Sequence, residues 1–152
     1  MTYEAWITSF VRNLKKHFNL QSWTIEIVFS DEPDEKGAYA DNDINSQYLF
    51  STITFYPPAK RDFDNRQFEL LIMSVVHEIV HVFLDPLSDA MHDFLSITTA
   101  PMFMRTLETQ TQTLTMVFLK TLPKSLIPPR PKKNGKHNNA PADDKPRPAV
   151  HS

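Results

Sequence analysis

The stretch FELLIMSVVHEIVHVFLDP, residues 68–86, decides how the rest of the chain is read. Phe68, Leu71, Ile72, Val75, Val76, Ile79 and Phe83 recur at helical spacing, so the segment reads as a helix with one apolar face. Asp64 and Gln67 have the spacing of a capping box at its start. Pro86 is expected to stop it, because the residue before a proline avoids the helical region. Inside this helix lies His77-Glu78-Ile79-Val80-His81. Residues i and i+4 share a helix face, with about 5–6 Å between Cβ atoms, so two imidazoles there can converge on one metal ion. Glu78 sits about 100° further round, where a carboxylate can take a proton from zinc-bound water. From six His and seven Glu in 152 residues, the pattern is expected by chance about 0.01 times.

Zinc needs a third protein ligand, and a hydrolase leaves the fourth position to water. The chain has no cysteine, and no third His with an internal glycine follows the motif. Asp85, four residues past His81, suits a hydrogen bond to a ligand histidine better than direct ligation. His92 is a second candidate. Glu108 is the strongest: it flanks the core-facing Leu107 in a later helix, and its neighbours (LETQTQTL) are uncharged. A lone carboxylate at the edge of such a stretch needs a partner.

Outward from the motif, the chain reads as α+β. Tyr3, Trp6, Ile7, Phe10, Val11, Leu14 and Phe18 form one stripe of an N-terminal helix, with Thr2 as its N-cap. Residues 22–29 (SWTIEIVF) alternate as a half-buried strand with Trp23, Ile25, Ile27 and Phe29 on one face. Residues 30–46 are acidic and polar and read as a loop with a short strand at Ala38–Ala40. Residues 47–56 (QYLFSTITFY) read as a strong strand ended by Pro57-Pro58. The stretch after Pro86 is less regular. A last helix runs from Met102 to Leu122, with Met104, Leu107, Leu114, Phe118 and Leu122 near one face.

Composition sets bounds. A length of 152 residues with 41% apolar and 22% charged residues suits one domain with a real core. The absence of cysteine excludes disulfides, thiolate zinc sites, iron–sulfur clusters and a cysteine nucleophile. Two glycines are too few for a glycine-rich phosphate loop or a dinucleotide fingerprint. No apolar run is expected to span a bilayer, and the first ten residues lack the pattern of a secretory signal. Beyond Leu122 the composition changes: residues 123–152 hold 7 of the 12 prolines, seven basic residues and two acidic ones. Residues 1–122 carry nine basic and sixteen acidic residues, net −7. The segment 123–152 is expected to be a disordered basic tail whose removal leaves folding unchanged.

The N-terminal helix, small sheet, His-Glu-x-x-His helix and later glutamate-bearing helix together resemble the minimal gluzincin metallopeptidases. HEIVHVFLDPL followed by LETQTQTL is similar to the motif and third-ligand helices of small phage and mobile-element proteins of the ImmA/IrrE type. The resemblance covers roughly residues 5–122, a zincin-like domain placed at 1–122 with a three-stranded sheet. It implies His77, His81 and Glu108 as zinc ligands and Glu78 as general base of a peptidase acting on a protein or peptide. It leaves Tyr39, Tyr48 and His92 as candidates to support the oxyanion. It also implies that the strand before the motif helix, Gln47–Tyr56, borders the cleft and offers an edge to the substrate. A monomer in the cytoplasm (host cytoplasm for a phage product), without a membrane partner, is the matching expectation. The alternatives are a zinc-stabilised binding or regulatory protein and a protease tethered to DNA by the tail, in the manner of SprT-like proteases. The body's negative charge weighs against a nucleic-acid face on the domain itself.

Overall fold

The computed structural model describes residues 1–92 and 100–132, with the backbone alone for residues 89–92 and 100. It is a mixed α+β fold. Four helices and a three-stranded sheet follow one another as α1 (Tyr3–His17), β1 (Thr24–Phe29), β2 (Ala40–Asn45), β3 (Phe50–Phe55), α2 (Pro57–Asp64), α3 (Phe68–His92) and α4 (Ala100–Thr121). The Thr2 hydroxyl accepts from the Ala5 amide and caps α1. Tyr3, Trp6, Ile7, Phe10, Val11 and Leu14 are all buried, as their spacing predicts.

The sheet order is β1-β3-β2. β1 runs parallel to β3, pairing Thr24 with Phe50 through to Phe29 with Phe55. β2 runs antiparallel to β3, pairing Ala40 with Phe55 and Asn45 with Phe50. Strand periodicity and this register put Ile25, Ile27 and Phe29, then Ser51, Ile53 and Phe55, then Ala40, Asn42 and Ile44 on one face. Ser51, Ile53 and Phe55 are buried there.

This order corrects one expectation. The strand before the motif helix, β3, is central and paired on both sides, so it has no edge to offer. Among the described residues the edge beside α3 belongs to β2. That strand is polar (ADNDIN) and its pattern has no apolar alternation to announce it. Only its start was expected, as Ala38–Ala40. β3 is also shorter than Gln47–Tyr56, because residues 46–48 form a 3₁₀ turn and Leu49 sits in the left-handed region (φ 49°).

Two helix boundaries differ as well. Pro57-Pro58 not only ends the strand but opens α2, since proline's fixed φ suits the first helical turn. Asp64 is therefore the last residue of α2 and not the cap of α3, and Arg66 (φ 64°) reverses the chain between them. α3 continues through Pro86 to His92. Pro86 removes one helical hydrogen bond, yet Val82 is buried and Leu84 packs on the core, and this packing outweighs the local preference. Phe68–Ser88 also has the length and mean hydropathy, 1.7, of a membrane-crossing helix. Here it is the central helix of the body, with Phe68, Leu71, Val75, Val76, Ile79, Val80 and Val82 buried among the other elements.

The domain boundary lies later than Leu122. Residues 123–132 return across α1 and the start of α3. The Trp6 indole donates to the Pro128 carbonyl (3.2 Å) and the Asn13 amide to the Leu126 carbonyl (2.7 Å). Ile127 packs on the core. Arg66 donates to the Pro131 carbonyl, and Arg130 lies 5.2 Å over the Phe68 ring. The remainder of the expected tail, 133–152, lies outside the described residues. A chain ended after Leu122 should thus be less stable than one ended after Lys132 by roughly 2–4 kcal/mol, from lost apolar burial and two lost partly buried hydrogen bonds. Urea titration of the two truncated chains measures the difference; equal midpoints would show that the segment contributes nothing.

Candidate metal centre

His77 and His81 lie one turn apart on α3, and Glu108 reaches them from α4. His77 Nε2 is 3.4 Å from one Glu108 carboxylate oxygen, and His81 Nε2 is 3.3 Å from the other. The two Nε2 atoms are 3.1 Å apart. Ligand atoms about 2.0–2.1 Å from a tetrahedral ion stand about 3.3 Å from one another, so this triangle has the size that such an ion requires. All three donors fit within 4.8 Å, and they form the group of metal-capable side chains among the described residues.

The electrostatics agree. Burial lowers the pKa of both imidazoles, assisted at His81 by its neighbour His77, while the Glu108 charge pulls the other way. Neutral imidazoles are what metal ligation needs. Two neutral Nε2 atoms and a carboxylate oxygen facing one point are mostly acceptors, and a cation between them resolves the crowding.

Thr115 fixes which nitrogen of His77 faces that point. Its hydroxyl is fully buried and donates to the Thr111 carbonyl at 2.8 Å. With its proton committed, the oxygen can only accept from His77 Nδ1, 3.5 Å away. Nδ1 then carries the hydrogen, and Nε2 keeps its lone pair for the metal. Thr115→Val should therefore weaken metal binding about 10–100-fold, with Thr115→Ser close to the wild type. Competition against a chelating dye measures both; unchanged affinity in the valine protein would remove Thr115 from the site.

Glu78 is 6% exposed. Burial first, then the charges of Asp41 and Glu108, push its carboxyl up to about 8. Its helical turn is pinned to the sheet. The Ser51 hydroxyl donates to Asn42 Oδ1 (2.7 Å), and Asn42 Nδ2 donates to the Glu78 backbone carbonyl (2.9 Å). This explains a buried serine and an inward-facing asparagine in the sheet: each satisfies the other.

Two cavities meet at the site. The larger, about 450 Å³, is walled by β2 (Ala40, Asp41, Asn42, Ile44), α3 (with Leu84, Asp85 and Ser88) and α4 (Met104, Leu107) around His77, Glu78, His81 and Glu108. The smaller, about 260 Å³, shares Ala40, His77, Glu78 and Glu108 and adds Tyr39, Met73, Ser74 and Gln112.

Of the residues singled out in the sequence, His77, His81, Glu108 and Glu78 come together. Asp85 lines the larger cavity and is not in the donor group. Tyr39 lines the smaller one, with its phenol donating to Asp62 at 3.2 Å. Tyr48 is 79% exposed and lines neither cavity. The His92 side chain lies outside the described residues. Thr115, Asn42 and Ser51 were missed. For Thr115 a signal existed, since it follows Glu108 by two helical turns on one face. Asn42 and Ser51 had none without the strand pairing.

Comparison with known proteins gives no match: no family model, no curated protein and no solved structure is significantly similar to this chain.

Proposed function

We propose that the protein is a zinc-dependent peptidase with a minimal zincin fold of the gluzincin kind, hydrolysing a protein or peptide. One observation carries the reading: a ligand triangle of tetrahedral size, built on a His-Glu-x-x-His helix, with the intervening glutamate buried at the wall of an open cleft. His77, His81 and Glu108 would hold the ion. A nitrogen and carboxylate donor set without thiolate suits Zn²⁺. Bound there, Zn²⁺ supplies Lewis-acid polarisation of a carbonyl and brings the pKa of water to about 7.

The remaining work falls to the chain. Glu78 accepts the proton of the attacking water and hands it to the leaving amine nitrogen. Its raised pKa belongs to the metal-free state, and positive charge placed beside it returns it toward the carboxylate that a base must be. Asn42 and Ser51 hold the Glu78 turn against β2. The edge of β2 beside the cleft can take an extended peptide by backbone pairing. A purely structural ion would gain nothing from a buried carboxylate aimed at an open cavity, which favours catalysis over a zinc-stabilised binding role.

The test combines metal analysis of the purified protein with mass-spectrometric mapping of fragments from a peptide library, wild type against Glu78→Gln. One zinc per chain and cleavage that depends on Glu78 are expected. Zinc-loaded protein with no such cleavage would end the peptidase reading.

A further inference from the structure

We infer that the cleft selects basic peptides, taking a lysine or arginine side chain into the larger cavity between Asp41 and Asp85. The inference rests on the peptidase reading and goes beyond it to the substrate.

The wall of that cavity carries four carboxyl side chains, Asp41, Glu78, Asp85 and Glu108, and no lysine or arginine. The smaller cavity likewise has no lysine or arginine in its wall. A divalent cation at the triad offsets two of those four charges, and the remaining two face whatever enters. A water-poor cleft strengthens this field relative to bulk solvent. Asp41 is also held in place: the Tyr56 phenol donates to it at 2.8 Å. It stands on β2, the strand whose edge borders the cleft, and Asp43 follows it two residues later on the same face. A peptide lying along that edge would therefore run beside two carboxylates on the strand and a third, Asp85, on α3. The apolar part of the wall, Ile44, Leu84, Met104 and Leu107, suits the methylene stem of a lysine or arginine, which packs on apolar surface while its head reaches a carboxylate. An acidic side chain in the same position would meet like charge on three sides.

Two measurements test this. The first compares cleavage of matched peptides that differ only by lysine, glutamine or glutamate at one position, scanned along the sequence. Lysine peptides should be cut about tenfold faster in kcat/KM than glutamine peptides. The ratio should shrink in Asp41→Asn and Asp85→Asn, and it should fall as salt rises. The second uses zinc-loaded Glu78→Gln and fluorescence anisotropy, so binding is read without turnover. The lysine peptide should bind about tenfold tighter than its glutamine match. Glu78-dependent cleavage and binding that are indifferent to the lysine would overturn the basic-substrate inference and leave the peptidase reading standing. Absence of any Glu78-dependent cleavage would overturn both.

Discussion

Glu78→Gln is expected to keep its metal and its fold while losing hydrolysis by roughly 10²–10⁴-fold, the usual worth of a positioned general base. Glutamine is nearly isosteric and cannot accept the proton. Zinc content by mass spectrometry under native conditions and cleavage rates on one peptide decide the matter; full activity would exclude Glu78 from the chemistry. The same substitution should raise the stability of the metal-free protein. The Glu78 carboxyl stands at about 8 in the folded state against a model value of 4.5. The native state therefore binds the extra proton between those two values, and stability falls as pH rises through that window. Removing the group removes the fall. The gain from Glu78→Gln should be absent near pH 4, grow between pH 4.5 and 8, and level off above, reaching a few kcal/mol at most. Thermal unfolding of both metal-free proteins at several pH values measures it. A gain that shrinks with rising pH would contradict the burial of this carboxyl.

The second large effect concerns the ligands. His77→Ala or His81→Ala should abolish zinc binding at micromolar metal, and Glu108→Ala should weaken it strongly, because each removes one of three donors. Zinc should raise the melting temperature of the wild type, since an ion that binds only the folded state stabilises by about 2.7 kcal/mol at a hundredfold excess over Kd. The two alanine variants at the histidines should show no such rise. Wild-type affinity in Glu108→Ala would break the link between α3 and α4 on which the triad depends.

The motif and its helix were legible because their signal is local. Helical spacing alone places His77 and His81 together, and the apolar stripe places them beside the core. Glu108 was legible for a different reason: a single charge in an uncharged helix invites a partner. The sheet was harder. β1 and β3 declare themselves by alternation and β-branched residues, but their neighbours do not follow from either strand. β2 pairs through its backbone and buries Asn42 rather than an apolar side chain, so no periodicity marks it. The substrate edge was consequently assigned to β3. Residues 123–132 escaped because proline and lysine content describes solvation, whereas this segment is held by carbonyl oxygens, which every residue carries. Thr115 contributes through one hydroxyl proton, a detail visible only once Thr111 is seen to take it.

Pro86 gives α3 an uneven grain. It has no amide hydrogen, so the Val82 carbonyl lacks its partner four residues on, and the ladder is interrupted just one turn past His81. Local opening in proteins proceeds by units that share unbroken hydrogen bonds. The turns from Phe68 to Asp85 and the turns after Pro86 therefore form two such units within one continuous helix. In amide hydrogen exchange, metal loading should slow the amides around His77 and His81 far more than those that follow Pro86. The rigid part that holds the ion and the part that borders the outer cleft at Ser88 can thus breathe on separate clocks, which lets the mouth of the site open without loosening its centre.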